Sequence, residues 1–151
     1  MTAVLAFITA PPEHDTHQLT GSLGSLGVKT VLAKSSTDLA RAATARGADP
    51  VDALCEALDA RVATIAACDL LVAVLDGTHP DVLVDIGIAY ASGTDCYALQ
   101  THGEPLEALH TDMLDGHART TPALLTRLRQ HLRLPPADSN PLTPVDDAMT
   151  R

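Results

Sequence analysis

The sequence predicts a doubly wound α/β domain, in which a parallel sheet of four to five strands is covered by helices on both faces. Short apolar runs at 3–8 and 70–75 alternate along the chain with segments of helical periodicity. The run at 70–75 is apolar without interruption, which is typical of a strand buried on both faces of a parallel sheet. Strands that alternate with helices at this spacing favour parallel crossover units.

The individual strands follow from apolar runs bounded by polar or small residues. Strands are predicted at 3–8, 28–33, 69–76 and 96–100, with a short one around 117–119. The first run is short and has no basic residue before it, so we expect a strand and no signal peptide. No apolar stretch reaches the length of a membrane span.

The helices follow from apolar residues spaced three or four apart. Helices are predicted at about 16–26, 51–67, 82–92, 104–114 and 122–132. The helix at 51–67 rests on the spacing of Leu54, Leu58, Val62 and Ile65. Gly27 ends the first helix, and the polar stretch 34–50 is expected to hold only a turn or two near 39–46. Residues 1–133 therefore form the predicted domain, and 134–151, with four prolines, a tail.

Composition excludes several function classes. The chain has 151 residues, a formal charge of −9, no Trp, one Phe and two Tyr, so it repels phosphate backbones and offers few platforms for base stacking. We expect neither a nucleic-acid nor a membrane partner. The three cysteines form no disulfide framework and no zinc pattern, which predicts reduced, buried thiols in a cytoplasmic protein. No metal is expected, because "HTDMLDGH" at 110–117 lacks a ligand spacing, and no dinucleotide cofactor, because the glycines of 20–27 precede the second strand instead of following the first.

Polar and small residues follow the first and third predicted strands. Ligands of doubly wound sheets bind beyond the carboxyl ends of the strands. The residues that stand there are Thr9, Ala10 and Pro11 after the first strand, and Asp76, Gly77, His79, Asp81 and Asp85 after the third. This edge of the sheet is therefore the predicted site.

The aspartates admit a structural interpretation. Thr78 and Asp81 have the spacing of a capping box, and acidic residues are stabilised in the first turn of a helix. Asp76 would then begin a turn, and Asp85 would be an exposed helix residue. Against this, Asp81 and Asp85 share a helix face, where like charges cost about 0.2–0.5 kcal/mol. Apolar neighbours also surround Asp85, and a buried carboxylate needs a partner or a function.

The stretch "CDLLVAVLDGTHPDVLVDIGIAYASG" (68–93) resembles the signature of the nucleoside 2-deoxyribosyltransferases and the related 2'-deoxynucleoside 5'-monophosphate N-glycosidases. "FITAPP" resembles the family's first strand and turn, and "HTDMLDG" (110–116) resembles its segment that reaches a neighbouring subunit's site. The resemblance covers about residues 3–133. It implies a doubly wound, flavodoxin-like fold, a nucleoside or nucleotide substrate, no cofactor and a homo-oligomer of at least two copies.

The resemblance also implies residue roles. Asp85 takes the position of the nucleophile, which attacks C1' and forms a glycosyl-enzyme that a second base or water resolves. Asp81 takes the position of a sugar contact. Gly87 and Ala89 would let the helix pack closely. The implied substrate-binding positions are Phe7, Thr9, Ala10, Pro11, Asp76, Gly77, His79, Thr111 and Asp112.

The chain departs from the family pattern at several of these positions. Asp85 replaces a Glu and is one methylene shorter, Phe7 replaces a Tyr, and Arg61 stands where the family often has Asp. The loop before Asp85 is about two residues shorter. Glu13 and Asp15 follow the first strand, which favours an uncharged nucleoside over a phosphate. Three interpretations stay open: an enzyme that cleaves N-glycosidic bonds, a catalytically silent relative that binds a nucleoside or nucleotide, and a structural or assembly protein that keeps only the fold.

Overall fold

Five strands form a single sheet in the computed structural model, which describes residues 3–77, 79–104 and 112–134. All neighbours pair in parallel, and this confirms the predicted fold class. The strands are β1 Leu5–Thr9, β2 Lys29–Leu32, β3 Leu70–Val74, β4 Asp95–Leu99 and β5 Gly116–Ala118. Their order across the sheet is β2-β1-β3-β4-β5, which is the flavodoxin-like arrangement.

The helices within the described residues are α1 His17–Ser25, α2 Ser36–Ala45, α3 Pro50–Ala67, α4 Pro80–Ser92 and α5 Thr121–His131. None of them is both long and apolar enough to cross a membrane. Helix α2 has ten residues, more than the turn or two expected, because four alanines favour the helix and the Ser35 side chain caps it. Most of the helix predicted at 104–114, and the tail from 135 onward, lie outside the described residues.

The core has two parts, one on each face of the sheet. Alternate residues of a strand point to opposite faces, so Val72 of β3 packs with the apolar side chains of α1 and α5. Its neighbour Leu71 packs with those of α3 and α4. All five residues of β3 are buried, as the uninterrupted apolar run predicts.

Helix α3 turns the smaller of its two apolar sides inward. Its buried residues are Ala53, Ala57, Arg61 and Ile65, whereas Leu54 is 58% and Leu58 50% exposed. Three of the four apolar residues whose spacing predicted this helix thus lie on its outer side. Periodicity locates an apolar stripe, but it does not say which of two stripes faces the sheet.

Two smaller expectations also need correction. Cys68 and Cys96 are buried, but Cys55 is exposed on α3. Burial, assisted by the charges of Asp115 and Asp85, raises the pKa of Cys96 to about 12. A Cβ at Gly87 would meet no atom of the described chain within 4 Å, so this glycine is not needed for close packing within the chain.

Gly116 provides a test of the packing between β4 and β5. A Cβ at this position would lie 2.6 Å from two ring carbons of Tyr97. The Tyr97 ring is buried and packs edge-on against His131, with 5.3 Å between ring centres. We expect Gly116→Ala to lower the free energy of unfolding by about 1–3 kcal/mol, as overpacking does, in urea denaturation.

Gly87→Ala is the matched control, because it adds the same methyl group in open space within a helix. It should leave stability unchanged or raise it by up to about 1 kcal/mol. Equal stability of the two variants would contradict the packing described for Tyr97.

Candidate functional site

The candidate site lies at the carboxyl ends of β1 and β3, where the strand order reverses. The chain leaves β1 toward α1 on one face and leaves β3 toward α4 on the other, which opens a crevice between them. A cleft of about 150 Å³ occupies this position. Its lining residues are Ala10, Pro12, Ala33, Lys34, Ser35, Arg61, His79 and Asp81.

Asp85 lies beside this cleft but is completely buried, with 0% of its surface exposed. Arg61 donates from Nε to Oδ1 and from Nη2 to Oδ2, the latter at 2.7 Å. Thr9 donates its hydroxyl hydrogen to Oδ2 at 2.6 Å. The structural interpretation of Asp85 as an exposed helix residue is therefore wrong. Its carboxylate has the partners that a buried charge requires.

Arg61 is held as firmly as the carboxylate that it binds. Its Nη1 donates to the main-chain carbonyl of Lys34, so three of its nitrogens have acceptors. Burial acts to lower the pKa of Arg61, but the hydrogen bond and charge of Asp85, together with the charge of Asp81, raise it above its ordinary value. The pair is thus a fixed guanidinium–carboxylate fork in which each charge neutralises the other.

Asp81 is half-buried in the first turn of α4. Its two oxygens each accept from the Ser36 hydroxyl at 3.0 Å, and Oδ2 also accepts from the Ser36 main-chain N–H at 3.3 Å. Asp81 thereby joins the starts of α2 and α4. The predicted capping box is wrong, because the N-cap of α4 is His79, one residue later than the box requires, and it has no side-chain cap.

Asp76 is buried, and it accepts hydrogen bonds from residues that do not line the cleft. It accepts from Thr101 N at 2.6 Å, from the Thr101 hydroxyl at 2.7 Å and from His102 N at 3.3 Å. Burial acts to raise the pKa of Asp76, but these hydrogen bonds, with a smaller contribution from the charge of His102, bring it below its ordinary value. Gly77 follows with a φ of 91°, a left-handed conformation that favours glycine. This pair of residues shapes the loop after β3.

The other predicted positions divide between the cleft and more distant places. Ala10 and His79 line the cleft, and the buried His79 Nδ1 has no hydrogen-bond partner among the described residues. Pro11 is buried directly after Ala10 in the chain, whereas Phe7 is buried in β1 and lines a different cavity. Asp112 lines a separate pocket of about 160 Å³, at the amino ends of β4 and β5. The other predicted position in this segment, 111, lies outside the described residues.

Sequence reasoning assigned no site role to Arg61, Lys34 or Ser36. Arg61 carried two signals: it stands where the resembled family often has Asp, and it is a charged residue in a row of small and apolar ones, with Ala57 before it and Ile65 after it. Within the described residues, no three His, Cys, Asp or Glu side chains are grouped closely enough to hold a metal ion.

Comparisons with known proteins support the fold. The sequence matches no protein-family model and no curated protein. A 2-deoxyribosyltransferase from Bacillus psychrosaccharolyticus has a similar structure, with a TM-score of 0.63, 12% identity and coverage of 80% of this chain and 90% of its own.

Two further structures are also similar. A CMP N-glycosidase from Clostridium botulinum gives a TM-score of 0.53 at 18% identity, over 82% of this chain and 97% of its own. A two-component response regulator from Clostridium difficile gives a TM-score of 0.53 at 14% identity, over 87% of this chain and 97% of its own. Proteins of different function thus share this architecture, and the comparisons show an α/β flavodoxin-like fold.

The Arg61–Asp85 pair can be tested by a double-mutant cycle. Removing one partner leaves the other charge buried and unpaired, which costs about 3–5 kcal/mol. We expect Arg61→Met and Asp85→Leu each to lose about that much stability in urea denaturation. The double variant should lose far less than the sum, because it buries no charge.

The exposed pair Arg46–Glu56 is the control for this cycle. Arg46 Nη2 and Glu56 Oε1 are 2.6 Å apart, but the two side chains are 63% and 57% exposed. Arg46→Met should cost no more than about 1 kcal/mol. Additive losses at Arg61 and Asp85 would show that the two side chains do not act as a pair.

Proposed function

We propose that this chain binds a nucleoside through its sugar, in the cleft at the carboxyl ends of β1 and β3, without cleaving the glycosidic bond. The observation that carries the proposal is the state of Asp85. Both of its oxygens accept hydrogen bonds from Arg61 or Thr9, and none of its surface is exposed.

A carboxylate that cleaves a glycosidic bond by double displacement must bring one oxygen into contact with C1' of the sugar. Asp85 offers no oxygen to the cleft, and the guanidinium of Arg61 neutralises its charge. A nucleophile also loses reactivity when its electron pairs are held by a cation and a hydroxyl donor. The geometry therefore favours binding over turnover.

The cleft retains polar groups suited to a sugar. Asp81 contributes a carboxylate that can accept from a hydroxyl group, and Lys34 and His79 contribute nitrogen atoms on the other walls. A pocket for a whole drug-sized ligand measures about 300–1,000 Å³. The cleft has about 150 Å³, which suits a pentose, with the base extending outside.

The carboxylates in the cleft and after β1 outnumber the one cation of the cleft that has no carboxylate partner among the described residues, Lys34, which favours an uncharged nucleoside over a nucleotide. Asp81 lies in the cleft, and Glu13 and Asp15 follow β1 nearby in the chain. Carboxylates repel a phosphate group, whereas sugar hydroxyls donate to them. The similar folds of a 2-deoxyribosyltransferase and a CMP N-glycosidase support a ligand that contains a nucleoside unit, without distinguishing a nucleoside from a nucleotide.

Isothermal titration with thymidine, 2'-deoxyinosine and uridine tests the binding. We expect saturable binding of at least one of them, and Asp81→Asn should weaken it about tenfold or more, because a hydrogen bond to a charged group contributes about 1.5–3 kcal/mol. Asp59→Asn is the control, since Asp59 is exposed on α3, away from the cleft. Chromatography of the same mixtures, with free adenine or cytosine added, should show no released base and no new nucleoside.

Two results would contradict the proposal. Absence of binding across nucleosides and nucleotides would show that neither is a ligand of the cleft. Release of base by the wild-type chain, lost in Asp85→Asn with the fold retained by circular dichroism, would show that Asp85 is a nucleophile.

That second result is the expected outcome for the other candidate function, a deoxyribosyl transferase or N-glycosidase. One observation favours it: Arg61 lines a further cavity on its other side, of about 280 Å³. Movement of the Arg61 side chain into that space would release Asp85 and open it to the cleft.

We also propose that the chain forms a homo-oligomer through the outer side of α3. Val51, Leu54 and Leu58 are 67%, 58% and 50% exposed, at the spacing of one helix face. Such a stripe is stabilised when it is buried against a second apolar surface. Single apolar residues are common on the solvent side of a helix, but three large ones along the same face are characteristic of a contact surface.

Light scattering coupled to size exclusion tests this assembly. The wild-type chain should elute as a dimer or larger, and Leu58→Lys should shift it toward the monomer mass. Ala63→Lys, on a different side of the same helix, should leave the mass unchanged. A monomer at all concentrations would show that the stripe is not a contact between copies.

A further inference from the structure

The cavity on the far side of Arg61 is not explained by nucleoside binding. It lies between the β1–β2 edge of the sheet and helices α2 and α3, and it measures about 280 Å³. Most of its wall is apolar, with Phe7 from β1, Val31 from β2 and Leu39 from α2. Among the described residues, Lys34 and Arg61 are the two that line both this cavity and the cleft.

The cavity has one charged group whose charge is not balanced. The charge of Arg61 is neutralised by Asp85. Lys34 is exposed, and no carboxylate of the described residues lies within 4 Å of its ammonium group. A ligand that fits this cavity therefore combines an apolar body with a single anionic group near Lys34.

The volume limits the size of that ligand. An apolar cavity of about 150 Å³ holds one benzene molecule, and this cavity is larger by almost a factor of two. It accommodates an aromatic ring with a short side chain. The ring of Phe7 can pack edge-to-face against such a ligand, an arrangement that aromatic pairs prefer.

We propose that this cavity binds a small aromatic monocarboxylate, with its ring among Phe7, Val31 and Leu39 and its carboxylate beside the Lys34 ammonium group. The proposal shares Lys34 with the proposed nucleoside cleft but uses neither Asp81 nor Asp85, so failure of nucleoside binding would not remove it. Binding at this site would place a ligand against one side of the Arg61 guanidinium, while the cleft lies on the other.

The test uses the fact that the chain has only two lysines, Lys29 and Lys34. In protein labelled with ¹³C-lysine, a titration with 3-phenylpropionate should shift the Lys34 side-chain signal in a saturable manner and leave that of Lys29 unchanged. A ligand of this size is expected to bind with a Kd of about 1 mM or tighter. Lys34→Gln should weaken its binding about fivefold and leave binding of the uncharged 3-phenylpropanamide unchanged.

Two variants of α3 show whether the ligand enters the cavity. Ala60 is exposed and lines the cavity, so Ala60→Phe fills part of it and should abolish binding. Ala63→Phe adds the same ring one turn further along, outside the cavity, and should leave binding intact. Asp81→Asn should also leave it intact, which separates this site from the nucleoside cleft.

Three outcomes would overturn the proposal. The first is no saturable shift of Lys34 up to several times the expected Kd. The second is an equal shift of Lys29 and Lys34, which indicates non-specific attraction of the anion. The third is equal affinity of Ala60→Phe and Ala63→Phe, which places the ligand elsewhere.

Discussion

The buried ion pair between Arg61 and Asp85 is the interaction on which the carboxyl edge of the sheet depends. It links α3 to α4, and its other hydrogen bonds reach Thr9 at the end of β1 and the main chain at Lys34. Four parts of the chain that are distant in sequence thus meet at one ion pair. Because charge in a protein interior is costly unless it is paired, each partner fixes the position of the other.

This pair also determines what the neighbouring cleft offers to a ligand. Asp85, to which the family resemblance gives the role of nucleophile, is buried. Asp81 is the acidic group that remains at the surface of the cleft. Asp76, the third aspartate of the segment, serves the loop after β4 instead. Three carboxylates within ten residues therefore have three different roles, each decided by the donors that surround it.

Sequence patterns were sufficient for the strands and the sheet. An uninterrupted apolar run as short as 70–75 is typical of a strand that is covered on both faces, so β3 was predictable from local information. The length of α2 was underestimated, because its polar residues concealed the contribution of its alanines and of the Ser35 cap.

The candidate site was predictable only in part, because its key contacts join distant residues. The need of Asp85 for a partner followed from its apolar neighbours, but Arg61 precedes it by 24 positions, and no local rule connects the two. The side of α3 that packs against the sheet could not be predicted either, since the outer side of the helix carries the larger apolar residues. The position of Asp112, at the opposite end of the strands from the cleft, depends on the same long-range arrangement.

The mutual dependence of Arg61 and Asp85 has an evolutionary consequence. A natural protein is stable by only about 5–15 kcal/mol, so a lineage that loses one member of a buried pair spends much of that margin at once. Replacement of Arg61 by an acidic residue would place two carboxylates side by side in the interior. The two positions are therefore expected to change together among descendants of this chain.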